Sequence, residues 1–60
     1  MPNGKLRYAI VRLQKRVDGG VRLSELTRTE RQLVKYCARY GYVTETPLKN
    51  DWLIDTGRRL

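Results

Sequence analysis

The sequence predicts a small α+β domain built from two main helices and a C-terminal β-hairpin. Two stretches, within 5–17 and 26–40, place apolar residues at helical spacing. The segment after residue 41 loses that period and becomes rich in β-branched and aromatic residues. The Gly19-Gly20 pair and the single Gly41 separate these stretches. Sixty residues make one domain, 1–60. A chain of this size buries only about 60% of its unfolded surface, so its core must be well packed or helped by a partner.

In chain order, Met1 to Gly4 reads as a short lead-in, with Asn3 as the N-cap. The first helix, Lys5–Val17, carries Leu6, Ala9, Ile10, Leu13 and Val17 on one side, extended by Tyr8 and Val11. Lys15 and Arg16 fall in its last turn, where positive charge suits the helix dipole. Gly19-Gly20 stops the helix. Val21-Arg22-Leu23 alternates like the edge of a small sheet, and Ser24 to Leu26 is long enough for a single helical turn.

The second helix lies within Leu26 to Tyr40. Thr27 and Glu30 have the spacing of a capping box, in which hydroxyl and carboxylate each accept from the other residue's backbone N–H. Thr29 with Gln32 repeats the spacing, which leaves the start open between the two. Gly41 tolerates the left-handed conformation that a helix C-terminal cap requires. Leu26, Leu33, Cys37 and Tyr40 share an inward face with Val34 on its flank, and Arg28, Arg31, Gln32, Lys35 and Arg39 share an outward one. Beyond it, Tyr42–Thr46 and Trp52–Ile54 read as two short strands joined by a loop over Pro47–Asp51. Their apolar side is expected to comprise Val43, Leu53 and part of Trp52. Trp52 is expected to be at least half buried, pinning the hairpin to a helix.

Composition narrows the chemistry. With 13 basic residues against 6 acidic the net charge is +7 and the pI near 10.2, the footprint of a nucleic-acid binder, although acidic lipid or an acidic protein would suit the same charge. One cysteine and no histidine exclude an internal disulfide and a Cys/His zinc site. No metal or other cofactor is expected. Asp18, Glu25, Glu30, Glu45, Asp51 and Asp55 are scattered at caps and turns, so neither an enzyme nor a small-molecule site is expected. Cys37 reads as a small core residue, consistent with a reducing cytoplasm. No apolar run is long enough for a transmembrane helix or a signal-peptide core, so no membrane partner is expected.

The cationic face of the second helix is the strongest functional signal. Arg bonds guanine bidentately, Gln reads adenine and Lys neutralises phosphate. Glu30 is the nearby acid, and the cap engages it. A merely solvated face would intersperse both signs. Lys49 lies between Glu45 and Asp51, so the hairpin loop is a weak phosphate contact, and Arg58 and Arg59 are better ones. Tyr36, Tyr40, Tyr42 and Trp52 could stack on bases, but a short chain without Phe is expected to need them in its core.

The order helix, short extended piece, helix, hairpin resembles the winged helix-turn-helix superfamily. GYVTETPLKNDWLIDTGRRL is similar to a wing, in which the second strand runs into an apolar–Thr–x–x–Gly–x–x–apolar signature. Leu53, Gly57 and Leu60 match it, with Ile54 where Thr is usual. Leu26-Thr27-Arg28-Thr29-Glu30 resembles the L-T-x-x-E helix start of several bacterial regulators. The resemblance spans residues 21–60, and the chain lacks room for the full second helix that family members carry before the recognition helix. It implies a winged-helix-like domain whose helix Thr27–Tyr40 enters the major groove of duplex DNA for transcription or recombination control. Arg28, Arg31, Gln32 and Lys35 would meet bases and phosphates, and Arg39, Arg58 and Arg59 would hold the backbone. A module this small is expected to bind modestly alone, which favours a homodimer or tandem occupancy. Two other readings stand beside it: a small adaptor or inhibitor docking on an acidic surface of a host enzyme, in the manner of mobile-element proteins, and an RNA-binding module.

Overall fold

A computed structural model describes residues 3–60; Met1 and Pro2 of the lead-in lie outside them. The elements follow as α1 (Gly4–Val17), β1 (Val21–Arg22), a 3-10 turn (Leu23–Glu25), α2 (Arg28–Arg39), β2 (Val43–Leu48) and β3 (Asp51–Thr56). The chain is thus an α+β domain with the layout of a small winged helix: two helices beside an antiparallel sheet of order β1-β3-β2, whose last two strands form the C-terminal hairpin. The single 3-10 turn takes the place of a full helix between α1 and α2.

The caps form as their residue types require. The Asn3 side chain accepts from the Leu6 N–H at 2.9 Å. At the start of α2 the Thr27 hydroxyl accepts from Glu30 N–H at 3.1 Å and the Glu30 carboxylate from Thr27 N–H at 2.8 Å, closing the capping box. At its end Tyr42 N–H donates to Cys37 O and Gly41 N–H to Ala38 O, with Gly41 at φ 79°, a Schellman arrangement.

The core comprises Ile10, Leu13 and Val17 of α1, Leu26, Val34 and Cys37, then Tyr42, Val43 and Ile54. On α2 the buried centre falls on Val34 and Cys37; Leu33 is half-buried and Tyr40 exposed. The expected inward face is therefore rotated towards the sheet. Leu33 borders a cleft with Ala9 and Leu13 of α1, whereas Val34 lies on the side of Leu23 and Glu45.

The hairpin differs from the expectation in its turn and its inner face. Its strands run through Leu48 and resume at Asp51, so the turn is Lys49-Asn50, with Asn50 at φ 63°. Asn tolerates that left-handed conformation, and Pro47 is accommodated because β2 is an edge strand. Val43 pairs with Thr56, Glu45 with Ile54 and Pro47 with Trp52, which sets these residues on one face. Leu53 cannot share a face with its neighbours Trp52 and Ile54. It lies on the opposite side, against Gly20, and fully buried Ile54 takes the core position. Trp52 is more than half buried, as expected, with 43% of its surface exposed, but it stands outside the core, near the hairpin tip. It does not pin the hairpin to a helix core.

What holds the C-terminal segment is Gln14, 3% exposed on the inner side of α1. Its Nε2 donates to Tyr42 O at 2.9 Å and Arg58 O at 2.8 Å, and its Oε1 accepts from Leu60 N–H at 3.3 Å. Thr56 Oγ1 donates to the Gln14 carbonyl at 2.7 Å. Gly57 lies directly against the Gly41–Tyr42 backbone, donating to Tyr42 O at 2.9 Å, and a Cβ there would collide with the Gly41 carbonyl.

Candidate nucleic-acid interface

The length of α2 and its burial pattern determine what its outer face presents. With Val34 and Cys37 turned inward, a period of 3.6 residues turns Arg28, Gln32, Lys35 and Arg39 outward, and Arg31 onto the side nearer the hairpin. All five side chains are exposed. Among the described residues the ion pairs are Arg16–Glu30 at 3.5 Å and Arg59–Asp18 at 3.3 Å, so Arg28, Arg31, Lys35 and Arg39 have no carboxylate partner.

This arrangement opposes stability. Arg31–Lys35 and Lys35–Arg39 are like-charge pairs at i, i+4, each costing about 0.2–0.5 kcal/mol in a helix. Glu30 is the acid of the first turn, and the Thr27 cap and Arg16 both engage it. Arg16 also donates to the Glu25 carbonyl at 3.4 Å, so this last-turn cation ties the end of α1 to the start of α2. Acids are thus used at the joint between the helices and withheld from the outer face of α2.

The inner face of the hairpin continues past the core alongside this stripe. Glu45 and Leu23 share one hollow with Arg28, Arg31, Gln32 and Lys35. Arg31 also borders a second hollow with Pro47, Trp52 and Leu23. The exposed Trp52 ring therefore stands on the same side as Arg31, a juxtaposition that the sequence reading missed by assigning the ring to the core. The period-2 register was the signal for it, because Trp52 had to follow Ile54 onto that face.

Arg58 and Arg59 are placed differently from the other expected contacts. Arg59 reaches Asp18 at the end of α1. Arg58 donates to the Tyr40 carbonyl at 3.1 Å and lies 5.1 Å from the Tyr42 ring centroid, so it caps the C-terminal end of α2. The structure brings Arg28, Arg31, Gln32, Lys35 and Arg39 together, sets Arg58 at the end of their helix, and engages Arg59 elsewhere.

The aromatic residues divide. Tyr42 is buried, Tyr36 half-buried, and Tyr40 50% exposed. Tyr36 and Tyr40 have ring centroids 4.8 Å apart, and Tyr40 and Tyr42 6.3 Å. Partial desolvation, then the neighbouring Tyr40 and Tyr42, push the Tyr36 hydroxyl above its usual pKa. Cys37 is fully buried, and desolvation pushes its thiol up to about 11, which removes it as a nucleophile in the folded chain.

Among the described residues no group of His, Cys, Asp or Glu is placed to hold a metal ion, and no helix is long and apolar enough to cross a membrane. No family model, curated protein or solved structure matches the chain.

Proposed function

We propose that this chain is a duplex-DNA-binding regulator of transcription or recombination that works in the manner of a winged helix-turn-helix, with α2 in the major groove. The observation that carries the reading is the outer face of α2: four exposed cations without carboxylate partners among the described residues, on a helix that fits the groove. Self-repulsion on that face costs a small domain stability, and phosphates relieve it. Arg31 and Gln32 are the base-reading residues of this assignment, and Arg28, Lys35 and Arg39 meet phosphates. The hairpin lies beside Arg31 and extends the contact to the neighbouring backbone. A second copy on an adjacent half-site would supply the affinity a single module lacks. A reducing cytoplasm suits the free thiol of Cys37.

The test is a titration against duplexes selected from a random pool, repeated at several salt concentrations. Three or four phosphate contacts give a slope of about −2.7 to −3.6 in log K against log salt. Arg39→Ala should weaken selected and scrambled duplexes alike and flatten the slope by about 0.9. Arg31→Ala should cost about 1–3 kcal/mol on the selected duplex and much less on the scrambled one. Failure of the pool to yield a sequence, with both variants behaving alike on any polyanion, would reject the specific DNA reading in favour of an acidic protein surface as the partner.

A further inference from the structure

Tyr36 of α2 and Tyr40, the residue that caps its C-terminal end, are left unused by duplex binding. With Gln32 they follow i, i+4, i+8, a single row along the helix, adjacent to the row that holds Lys35 and Arg39. The row that begins with a base-reading amide thus continues into two aromatic rings. Each step is about 6 Å of helix rise, under two base steps of a DNA strand at about 3.4 Å. Tyr42 is closed off, buried in the core and covered by the Arg58 guanidinium. Tyr40, half exposed and leaning on Tyr36 at 4.8 Å, keeps ring surface open to solvent.

An intact duplex has little use for that surface, because its bases are already stacked on one another. A tyrosine hydroxyl can bond a phosphate, but a ring face needs an unpaired base. From this row we infer that the protein prefers DNA in which a duplex ends in a single-stranded extension: the duplex lies along α2 from Arg28 to Arg39 and the first unpaired base stacks on Tyr40. Arg39, exposed beside Tyr40, holds the last duplex phosphate before that base. This inference rests on the duplex reading above and adds to it the class of DNA end.

The experiment compares a blunt duplex, the same duplex with a short oligothymidine overhang at either end of one strand, and free oligothymidine, by fluorescence anisotropy at one salt concentration. The parent should bind one overhang duplex at least about fivefold more tightly than the blunt one, the lower end of what base–aromatic stacking supplies. Tyr40→Leu should remove that preference and leave blunt-duplex affinity unchanged, with a thermal melt confirming its fold. Tyr40→Phe should retain the preference, since the ring and not the hydroxyl carries it. A 2-aminopurine at the first overhang position should be quenched by the parent and by Tyr40→Phe alone. Equal affinity for blunt and overhang duplexes overturns the inference and leaves the duplex reading standing. Loss of the preference in Tyr40→Phe also overturns it, because the contact is then a phosphate bond from the hydroxyl. Tight binding of free oligothymidine with no binding of blunt duplex overturns both.

Discussion

Replacing Gln14 by Met keeps the length of the side chain and removes its hydrogen bonds to Tyr42 O, Arg58 O and Leu60 N–H. The Tyr42 carbonyl keeps a second partner in Gly57 N–H, but Arg58 O and Leu60 N–H lose the Gln14 side chain at a half-buried edge. At about 1 kcal/mol per bond the loss is about 3 kcal/mol. Apolar burial of the thioether returns about 0.8 kcal/mol per added apolar group, leaving a net cost of about 1.5–2 kcal/mol. A chain of this length has about 3–9 kcal/mol of stability in total, so the variant sits near the edge of folding. For a domain of this size each kcal/mol moves the melting temperature by about 4–8 °C, which predicts a drop of about 6–16 °C. Thermal and urea unfolding followed by far-UV circular dichroism measure it. A shift below about 4 °C would mean that the C-terminal segment is held by Leu60 and Gly57 packing and that the amide is incidental. The variant should also weaken duplex binding without touching DNA, because the same segment anchors the hairpin alongside α2.

Ile54→Ala, at a fully buried position, should cost about 2–5 kcal/mol, whereas Trp52→Ala should cost less despite deleting a larger side chain; comparing their urea midpoints decides whether Trp52 belongs outside the core. Gly57→Ala should lose about 1–3 kcal/mol, because its Cβ meets the Gly41 carbonyl, a backbone atom that cannot turn aside; a melt matching the parent would refute that contact. The Ser24 hydroxyl, at 2.6 Å, and then the Trp52 N–H hold the Asp51 carboxyl below its usual pKa. A depressed carboxyl contributes stability that is fully present above its unfolded pKa of about 3.9 and is lost as pH falls through the lower folded value. The melting-temperature gap between parent and Ser24→Ala should therefore be constant near neutrality and shrink below about pH 4. A gap unchanged at pH 2 would show that the carboxyl does not contribute through its charge.

The helices were legible because several local signals agreed. Asn3 and the Thr27–Glu30 pair mark the starts, Gly41 marks an end, and apolar spacing supplies the faces between them. The exposed face of α2 was legible for the same reason: once Cys37 is inside, Arg28, Lys35 and Arg39 must be outside. The hairpin was less so. Pro47 and Asp51 have turn composition but sit in paired strands, since an edge strand accepts a proline and Asn50 makes the reversal short. The strength of Leu53 and Trp52 as apolar residues hid the simpler rule that neighbours in a strand point opposite ways. Gln14 was missed because it is polar, although it stands between Ile10 and Val17 at the spacing of the buried face. The signal was its position, and its partners are backbone groups far along the chain that no local pattern announces.

The burial of Cys37 has a practical consequence. It is the chain's single cysteine, fully inaccessible and protonated at neutral pH, on the inward face of α2. A thiol-modifying reagent can reach it only when α2 separates from the core. The rate of labelling in native buffer, divided by that of the denatured chain, therefore reads the population of the opened state directly. Measured with and without DNA, that ratio converts ligand binding into slowed labelling by the linkage between binding and opening. The protein thus carries, without any engineered dye or tag, a one-atom clock for its own opening, placed in the helix proposed to bind.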